Sequence, residues 1–417
     1  MSPQAQGSLA QLLMLMEPAF NTAPTGAFAG KSKKVYFETA SLAYSRGLEQ
    51  SKIIRGASRH PTRGTAGTTD VGGSIPTELQ ATMSLLYAAL GSVSITASAP
   101  TVGAALTTPT FAYDWVNQIV TVTCGAAHSL VIGDTIEMVA TAPTVCNGTF
   151  YYPVIDVTST TAFKIKVPMG GSSTITVTTI KKCTAGVFTY TYKAGGKLPS
   201  YITEVGYPDI GKYFKYTGLT NSKFGMTINP TGVVAVSSDW MGATETVGAA
   251  SFDTGSPIDN TKISFDGSML AAADMKEGGD AIALIKNLSF NLDNALDGDT
   301  FVVGGGGVRG GINPGVYQIT GSVTTIFTDT TLYEKAKNST ESSLDAAFKK
   351  GSGDGTAGNE AIQVVTPELI FTPKAPGVPG PGGVTATYDF VGDYTDNADA
   401  TAFKIIVKCT QLPGNVI

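Results

Sequence analysis

Apolar and polar positions alternate along most of this chain, the period-two signature of strands that bury one face. The pattern predicts strands over residues 34–39, 119–124, 134–139, 150–157, 162–167, 174–180, 187–192, 281–292 and 403–408. A helical period surfaces in only a few places. Over residues 76–90 an apolar stripe of Leu79, Met83, Leu86 and Leu90 predicts a helix, with Pro76 and Glu78 in its first turn and Gly91 as its stop. A second helix is expected after Asp329, which can cap a segment carrying Leu332, Tyr333 and Ala336. A third is expected over residues 342–350, with Lys349 and Lys350 in its last turn before Gly351. The apolar cluster from Leu9 to Met16 is too short to span a bilayer, and no Lys or Arg precedes it, so it reads as a packing arm.

Two of these patterns occur twice. Val71-Gly72-Gly73-Ser74-Ile75 returns as Ile319-Thr320-Gly321-Ser322-Val323, each ahead of a helix candidate. The strand from Val234, ending Asp239-Trp240-Met241-Gly242, returns from Val384 as Asp389-Phe390-Val391-Gly392. The first pair stands 248 residues apart and the second 150, so the first copy holds 98 additional residues. This predicts a duplicated unit with an insertion in copy one. The expected division is an N-terminal arm at 1–30, a discontinuous first domain at 31–97 and 196–250, an inserted exterior all-β domain at 98–195, and a second domain at 251–417.

Composition sharpens the picture. Of 417 residues, 15% are charged and 49 are glycine, with Thr, Val and Ile filling the alternating runs, which favours a mainly β chain. The net charge of −5 argues against a sequence-independent nucleic-acid binder, which needs basic surface to displace counterions. Arg55, Arg59, His60 and Arg63 make residues 51–67 the most basic stretch. Cys124, Cys146, Cys183 and Cys409 lie far apart and only two histidines are present, which signals neither a zinc site nor a disulfide framework and points to a reducing compartment. Gly26 to Ser32 ends Gly30-Lys31-Ser32 but has Thr25 where a phosphate loop needs glycine, and the glycines from 304 to 311 lack a following Lys-Ser/Thr. Both read as structural loops. No catalytic, cofactor or metal residue is expected, and no membrane association.

Within the insertion, His128-Ser129-Leu130-Val131-Ile132-Gly133-Asp134, then Asn147 to Phe150 and Thr158 to Phe163, resembles small β-modules of phage structural proteins. His128 reads there as a turn-packing residue.

Taken in order, the segment from Asp70 to Gly91, Leu198 to Tyr201, Tyr216 to Gly218 and Val234 to Gly242, with the second copies at Ile319 to Val323 and Val384 to Gly392, resembles the major tail tube proteins of long-tailed, siphovirus-type bacteriophages. That resemblance implies two tandem tail-tube β-sandwich or barrel domains, each with a flanking helix. It implies a virion structural protein rather than an enzyme, assembled in the host cytoplasm into stacked rings around a channel for genomic DNA that passes without specific binding. Tape measure, tail terminator and distal tail proteins are the implied partners. Two domains per chain predict homotrimeric rings with pseudo-sixfold symmetry, with a homohexamer as the alternative. A secreted β-rich adhesin shares the Thr/Gly-rich composition, but neither an export signal nor the strand-helix repeat favours it.

Overall fold

The computed structural model describes residues 4–53, 60, 63–142, 147–168, 175–282, 284–378 and 380–417. The first part of the chain forms β1 (Gln11–Met16), β2 (Lys33–Val35), β3 (Ala43–Glu49), β4 (Thr65–Ser74), β5 (Thr77–Glu78) and helix α1 (Ser84–Leu90). There follow β6 (Ser92–Ala105), β7 (Thr110–Asp114), β8 (Ile119–Thr123), β9 (Thr135–Ala142), β10 (Gly148–Val157), β11 (Ala162–Lys166) and β12 (Thr176–Lys193). The next four are β13 (Tyr201–Tyr207), β14 (Lys212–Ile228), β15 (Ala235–Gly242) and β16 (Thr244–Gly248). The last part holds β17 (Leu270–Glu277), β18 (Asp280–Ala281), β19 (Ile285–Asp293), β20 (Leu296–Asp297), β21 (Asn313–Pro314) and β22 (Gln318–Ile326). It continues with α2 (Thr331–Lys337), β23 (Ser342–Lys349), β24 (Ala361–Phe371), β25 (Thr385–Gly392), β26 (Lys404–Cys409) and α3 (Pro413–Val416).

The two sequence echoes pair with each other in the same register in both halves. Trp240 lies opposite Gly73 and Gly242 opposite Val71; at the equivalent positions Phe390 lies opposite Gly321 and Gly392 opposite Ile319. The equivalence extends outward. Ala43 of β3 faces Gly72 as Asn291 of β19 faces Thr320, and Asn221 of β14 faces Trp240 as Phe371 of β24 faces Phe390. A second layer repeats too. Tyr201 and Thr203 of β13 face Leu219 and Tyr216, with a register shift between them, and Ser342 and Leu344 of β23 face Leu369 and Thr366 with the same shift. In each half the long strand, β14 or β24, passes from the outer layer into the inner one. Buried aromatics join the layers, as where Tyr201 meets Trp240 edge-on at 6.2 Å and Phe290 meets Phe403 at 5.7 Å. Each fully buried large apolar side chain contributes about 1.5–3 kcal/mol by leaving water.

Two expectations are corrected. The run 342–350 is strand β23, not a helix: its burial alternates residue by residue from Ser342 to Phe348, so Leu344, Ala346 and Phe348 face the core despite good helix-forming composition. The first helix starts at Ser84, not Pro76, because Thr77 and Glu78 pair with Val236 and Ala235 as β5. The Leu9 to Met16 cluster, expected to pack as an arm, contains strand β1, held between β13 and β2 with Leu12 to Met16 buried. Its side chains are apolar on both faces, which erases the alternation that would show a strand. Asp329 does accept the Thr331 N–H at 2.9 Å ahead of α2.

The inserted segment has its own core, built on Val120, Val122, Ile136, Met138, Phe163, Ile165 and Ile180. Its stem does not. β6 runs unbroken from Ser92, so the expected boundary at 98 falls in mid-strand, and β12 pairs β6 along one edge and β26 along the other from Phe188 to Lys193. Phe188, Tyr190 and Tyr192 are buried in the main core with α1, whose seven residues are all buried.

Candidate functional site: a continuous polar sheet face

Eight strands form one inner sheet in the order β3-β4-β15-β14-β19-β22-β25-β24. The first four belong to the first half and the last four to the second. They are joined where Lys223 to Ile228 of β14 pair with Asp293 to Leu288 of β19. Alternation then sends every second side chain away from the core. On that outward face lie Ser45; Asp70, Gly72 and Ser74; Ser237 and Asp239; Lys223, Gly225 and Thr227; Ser289, Asn291 and Asp293; Thr320, Ser322 and Thr324; Thr387 and Asp389; it also carries the apolar side chains of Met241, Ile326, Val391 and Ile370.

The face is small, hydroxyl- and amide-rich, and slightly acidic. Ser289 and Ser322 share a hydrogen bond at 2.9 Å across strands, as do Thr324 and Thr387, so each hydroxyl is occupied by a neighbour rather than raised toward a ligand. Gly225 is required on this face, where a Cβ would stand 2.6 Å from the Ser237 hydroxyl, and Gly321 on the opposite, core-facing side, where a Cβ would strike the Ser289 carbonyl and the Phe390 ring. Lys223 pairs with Asp293 at 3.1 Å across the junction of the halves, both partly exposed, worth about 1 kcal/mol or less. Burial works against the Asp293 charge, yet the Ala295 N–H and Lys223 hold its carboxyl below the usual range. Nothing on this face pairs a nucleophile with a base.

Loops brace the sheet. The glycine-rich loop brings Arg309 over β4, where it donates to the carbonyls of Gly298 (2.9 Å) and Gly242 (3.0 Å) and to Asp70 (2.7 Å), while Gly307 accepts from the Thr69 N–H at 2.8 Å. The Gly30-Lys31-Ser32 loop grips a carboxylate of its own chain: Asp253 accepts from the N–H groups of Gly30 and Ser32 and from the Ser32 hydroxyl. Burial disfavours the Asp253 charge, but these donors and Gly255 keep its carboxyl below its ordinary value. His128 packs edge-on against Phe163, and its Nδ1 accepts the Leu130 N–H at 2.9 Å, fixing its turn. Arg55 and Arg59 lie outside the described residues; Arg63 is exposed just ahead of β4. Cys124, Cys183 and Cys409 are free and buried, and Cys146 lies outside the described residues. Among the described residues no group of His, Cys, Asp and Glu could hold a metal ion, and no helix is long and apolar enough to cross a membrane.

Sequence reasoning misses the polar face, although its signal is present. The outward positions of the echoed segments are Ser, Thr, Gly and Asp apart from Ala235, Met241 and Val391.

A duplicated β-sandwich whose inner sheet runs through both halves and presents a polar face defines a structural, sheet-forming protein. A family model described as phage tail tube protein matches residues 7–392, and the chain belongs to that family. It is therefore a structural component of a virion tail, in a family that self-assembles into a tube with other tail proteins. No curated protein matches. Among solved structures, one titled phage phi92 endosialidase is 7% identical, with 90% of this chain and 60% of that chain covered and a TM-score of 0.13, which carries no argument.

Proposed function

We propose that this chain closes into rings that stack along the tail, with the eight-stranded polar face as its share of the channel wall through which genomic DNA is ejected. The observation that carries the reading is the unbroken inner sheet. Two copies of one unit already continue each other's strands through the β14–β19 junction, so further copies extend the same wall. The chemistry of the face suits a passage for DNA. Hydroxyls, four of them paired with one another, scattered carboxylates, and a Lys223 and an Arg309 each tied to an aspartate give a polyanion little to hold, whereas a basic wall would bind each phosphate. Tape measure protein fills the lumen before ejection, and terminator and distal tail proteins close the ends.

The ring is a homotrimer with pseudo-sixfold symmetry, because each chain supplies two equivalent units, and heterologous contacts make a ring when their rotation closes. The inserted domain stands on the exterior, on the stem formed by β6 and β12. Cryo-electron microscopy of assembled tubes, reconstructed without imposed symmetry, tests this. Three inserted-domain knobs per ring support the trimer; six knobs overturn it in favour of a hexamer with one half lining the channel.

A further inference from the structure

Each unit of the inner sheet begins with a strand that needs a partner and ends with one that offers an edge. Within the chain this need is met once. β19, the first strand of the second unit, is covered by the second half of β14, the last strand of the first unit. The equivalents at the two ends of the sheet are unmatched among the described residues. β3 pairs only with β4, and every one of its residues is exposed. β24 ends at Phe371, Thr372 makes one further bond to β25, and residues 373–378 run on without regular structure, exposed but for half-buried Pro376, where β14 continues as strand to Ile228.

We propose that residues 372–378 of one chain become a strand only on docking against β3 of a second copy, rebuilding between chains the joint that β14 and β19 make within one. This rests on the tube reading above and adds the two edges that meet, their direction and their register. The internal joint supplies the register. Lys223 stands opposite Asp239 on one side and Asp293 on the other. Thr372 occupies its place in the second unit, since its N–H donates at 2.7 Å to the carbonyl of Asp389, the equivalent of Asp239. Ser45 occupies the place of Asp293, because it faces Asp70 as Asp293 faces Gln318. Thr372 of one chain therefore lies opposite Ser45 of the next, with both side chains on the channel face, and Lys374 lies opposite Ala43.

The composition of the segment fits an edge that must wait. Residues 372–378 read Thr-Pro-Lys-Ala-Pro-Gly-Val. With the Thr372 N–H turned toward β25, alternation turns Pro373, Ala375 and Gly377 toward the neighbour, where the register sets Pro373 opposite Tyr44 of β3 and Ala375 and Gly377 opposite Leu42 and Ala40 of the segment just ahead of it. They offer three carbonyl acceptors and two N–H donors, with the Leu42 carbonyl already accepting from the Tyr216 hydroxyl. Pro376 turns the other way. Prolines are tolerated on an edge and hinder pairing with wrong strands, so the segment is protected before assembly yet retains enough groups for a short antiparallel ladder. Charge plays little part, because Ser45 and Thr372 replace the Asp293–Lys223 pair of the internal joint.

Cysteine cross-linking tests the joint. The double variant Ser45→Cys with Thr372→Cys, oxidised as assembled tubes, is expected to give a ladder of covalent multimers on denaturing gels. Tyr44→Cys with Thr372→Cys, whose side chains point to opposite faces, is expected to give at least tenfold less. Tubes visible by electron microscopy with no ladder, or with equal ladders from both variants, overturn the joint and leave the tube reading standing. A wild-type chain that forms no tubes under any condition that keeps it folded overturns the tube reading and the joint together. As a second measure, Ala375→Pro removes one of the two donors from an exposed segment. It is expected to leave the thermal midpoint of the monomer unchanged and to raise the concentration needed for assembly roughly fivefold, the equivalent of one net hydrogen bond. An unchanged assembly threshold counts against the joint.

Discussion

The two halves of the chain share strands, registers and even the position of a register shift, but they differ in what covers their helices. In the first half α1 is buried on every side, by the β6–β12 stem and by the C-terminal residues, where the Ser84 hydroxyl donates to the Val416 carbonyl at 2.6 Å. Beside it, the linker between the halves folds back: Phe265 donates to Leu79 and Val234 donates to Phe265, so the residues from Ile263 to Phe265 plug the space next to β5. In the second half Phe327 donates to Val384 as Leu79 donates to Val234, but no linker enters. A cavity of about 460 Å³ remains there between Phe327, Ile282, Leu332 and Tyr388, and only Ala336 of α2 is buried. The same strand framework thus tolerates a finished and an unfinished flank. The framework is held by the sheet; the flanks are additions.

Substitutions that probe this contrast should differ sharply between halves. Phe265→Ala is expected to cost about 3–5 kcal/mol, because a fully buried ring in edge contact with Phe348 is replaced by a hole. Thermal denaturation measures it, and a shift of a degree or less would mean the plug is dispensable. Leu86→Ala in α1 should cost roughly 2–5 kcal/mol, whereas Leu332→Ala on half-exposed α2 should cost about 1 kcal/mol or less. Equal losses would show that the α2 flank is packed as tightly as its counterpart.

Lys33 gives a pH signature to the first half alone. It is buried where β2 meets Ile258 of the linker, and burial, with Lys31 adding, pushes its ammonium from 10.5 down to about 8. Between those values the unfolded chain holds a proton that the folded chain lacks, so stability should rise as pH increases from 8 to 10.5. Lys33→Met should raise the midpoint at about pH 7 and reduce that rise, leaving the part due to buried Lys166, which burial also pushes down to about 8. An unaltered pH profile would show that Lys33 reaches water.

The smallest effect is expected from the insertion. Deleting residues 106–180 and bridging Ala105 to Lys181 with a short Gly/Ser turn should leave tube formation intact, because those residues carry a separate core while the stem stays, and among the described ones only Ile119, Tyr151 and Ile155 reach the main core. Deleting 98–195 instead removes Phe188, Tyr190 and Tyr192 from the main core and should abolish folding. Loss of tubes from a soluble 106–180 deletion would place the inserted core in the wall.

Much of this is legible in the residues. The echo of Gly73 in Gly321 and of Asp239-Trp240 in Asp389-Phe390 marks strands that pair with each other, since side chains meeting in one register are constrained together. The β class follows from the alternation. What escapes is set by neighbours distant in sequence. β1 reads as an arm until β13 and β2 are known to flank it, Pro76 and Glu78 look like a helix start until Val236 and Ala235 claim Thr77 and Glu78, and Ala346 and Ala347 favour a helix that the sheet overrides. The polar face is invisible for a related reason: alternation reveals that one side is buried, but not that eight such sides line up.

If the chain closes into rings as proposed, the β14–β19 junction also bears on how quickly and how surely each one forms. Bringing two free molecules together sacrifices overall translation and rotation, a loss of order 4–15 kcal/mol, whereas units tethered in one chain meet at an effective concentration near millimolar or above. A chain that contains one junction ready-made halves the number of encounters needed to complete a given circumference. It also fixes the pitch and polarity of the first contact before any second molecule arrives, so a nucleus is built into every subunit.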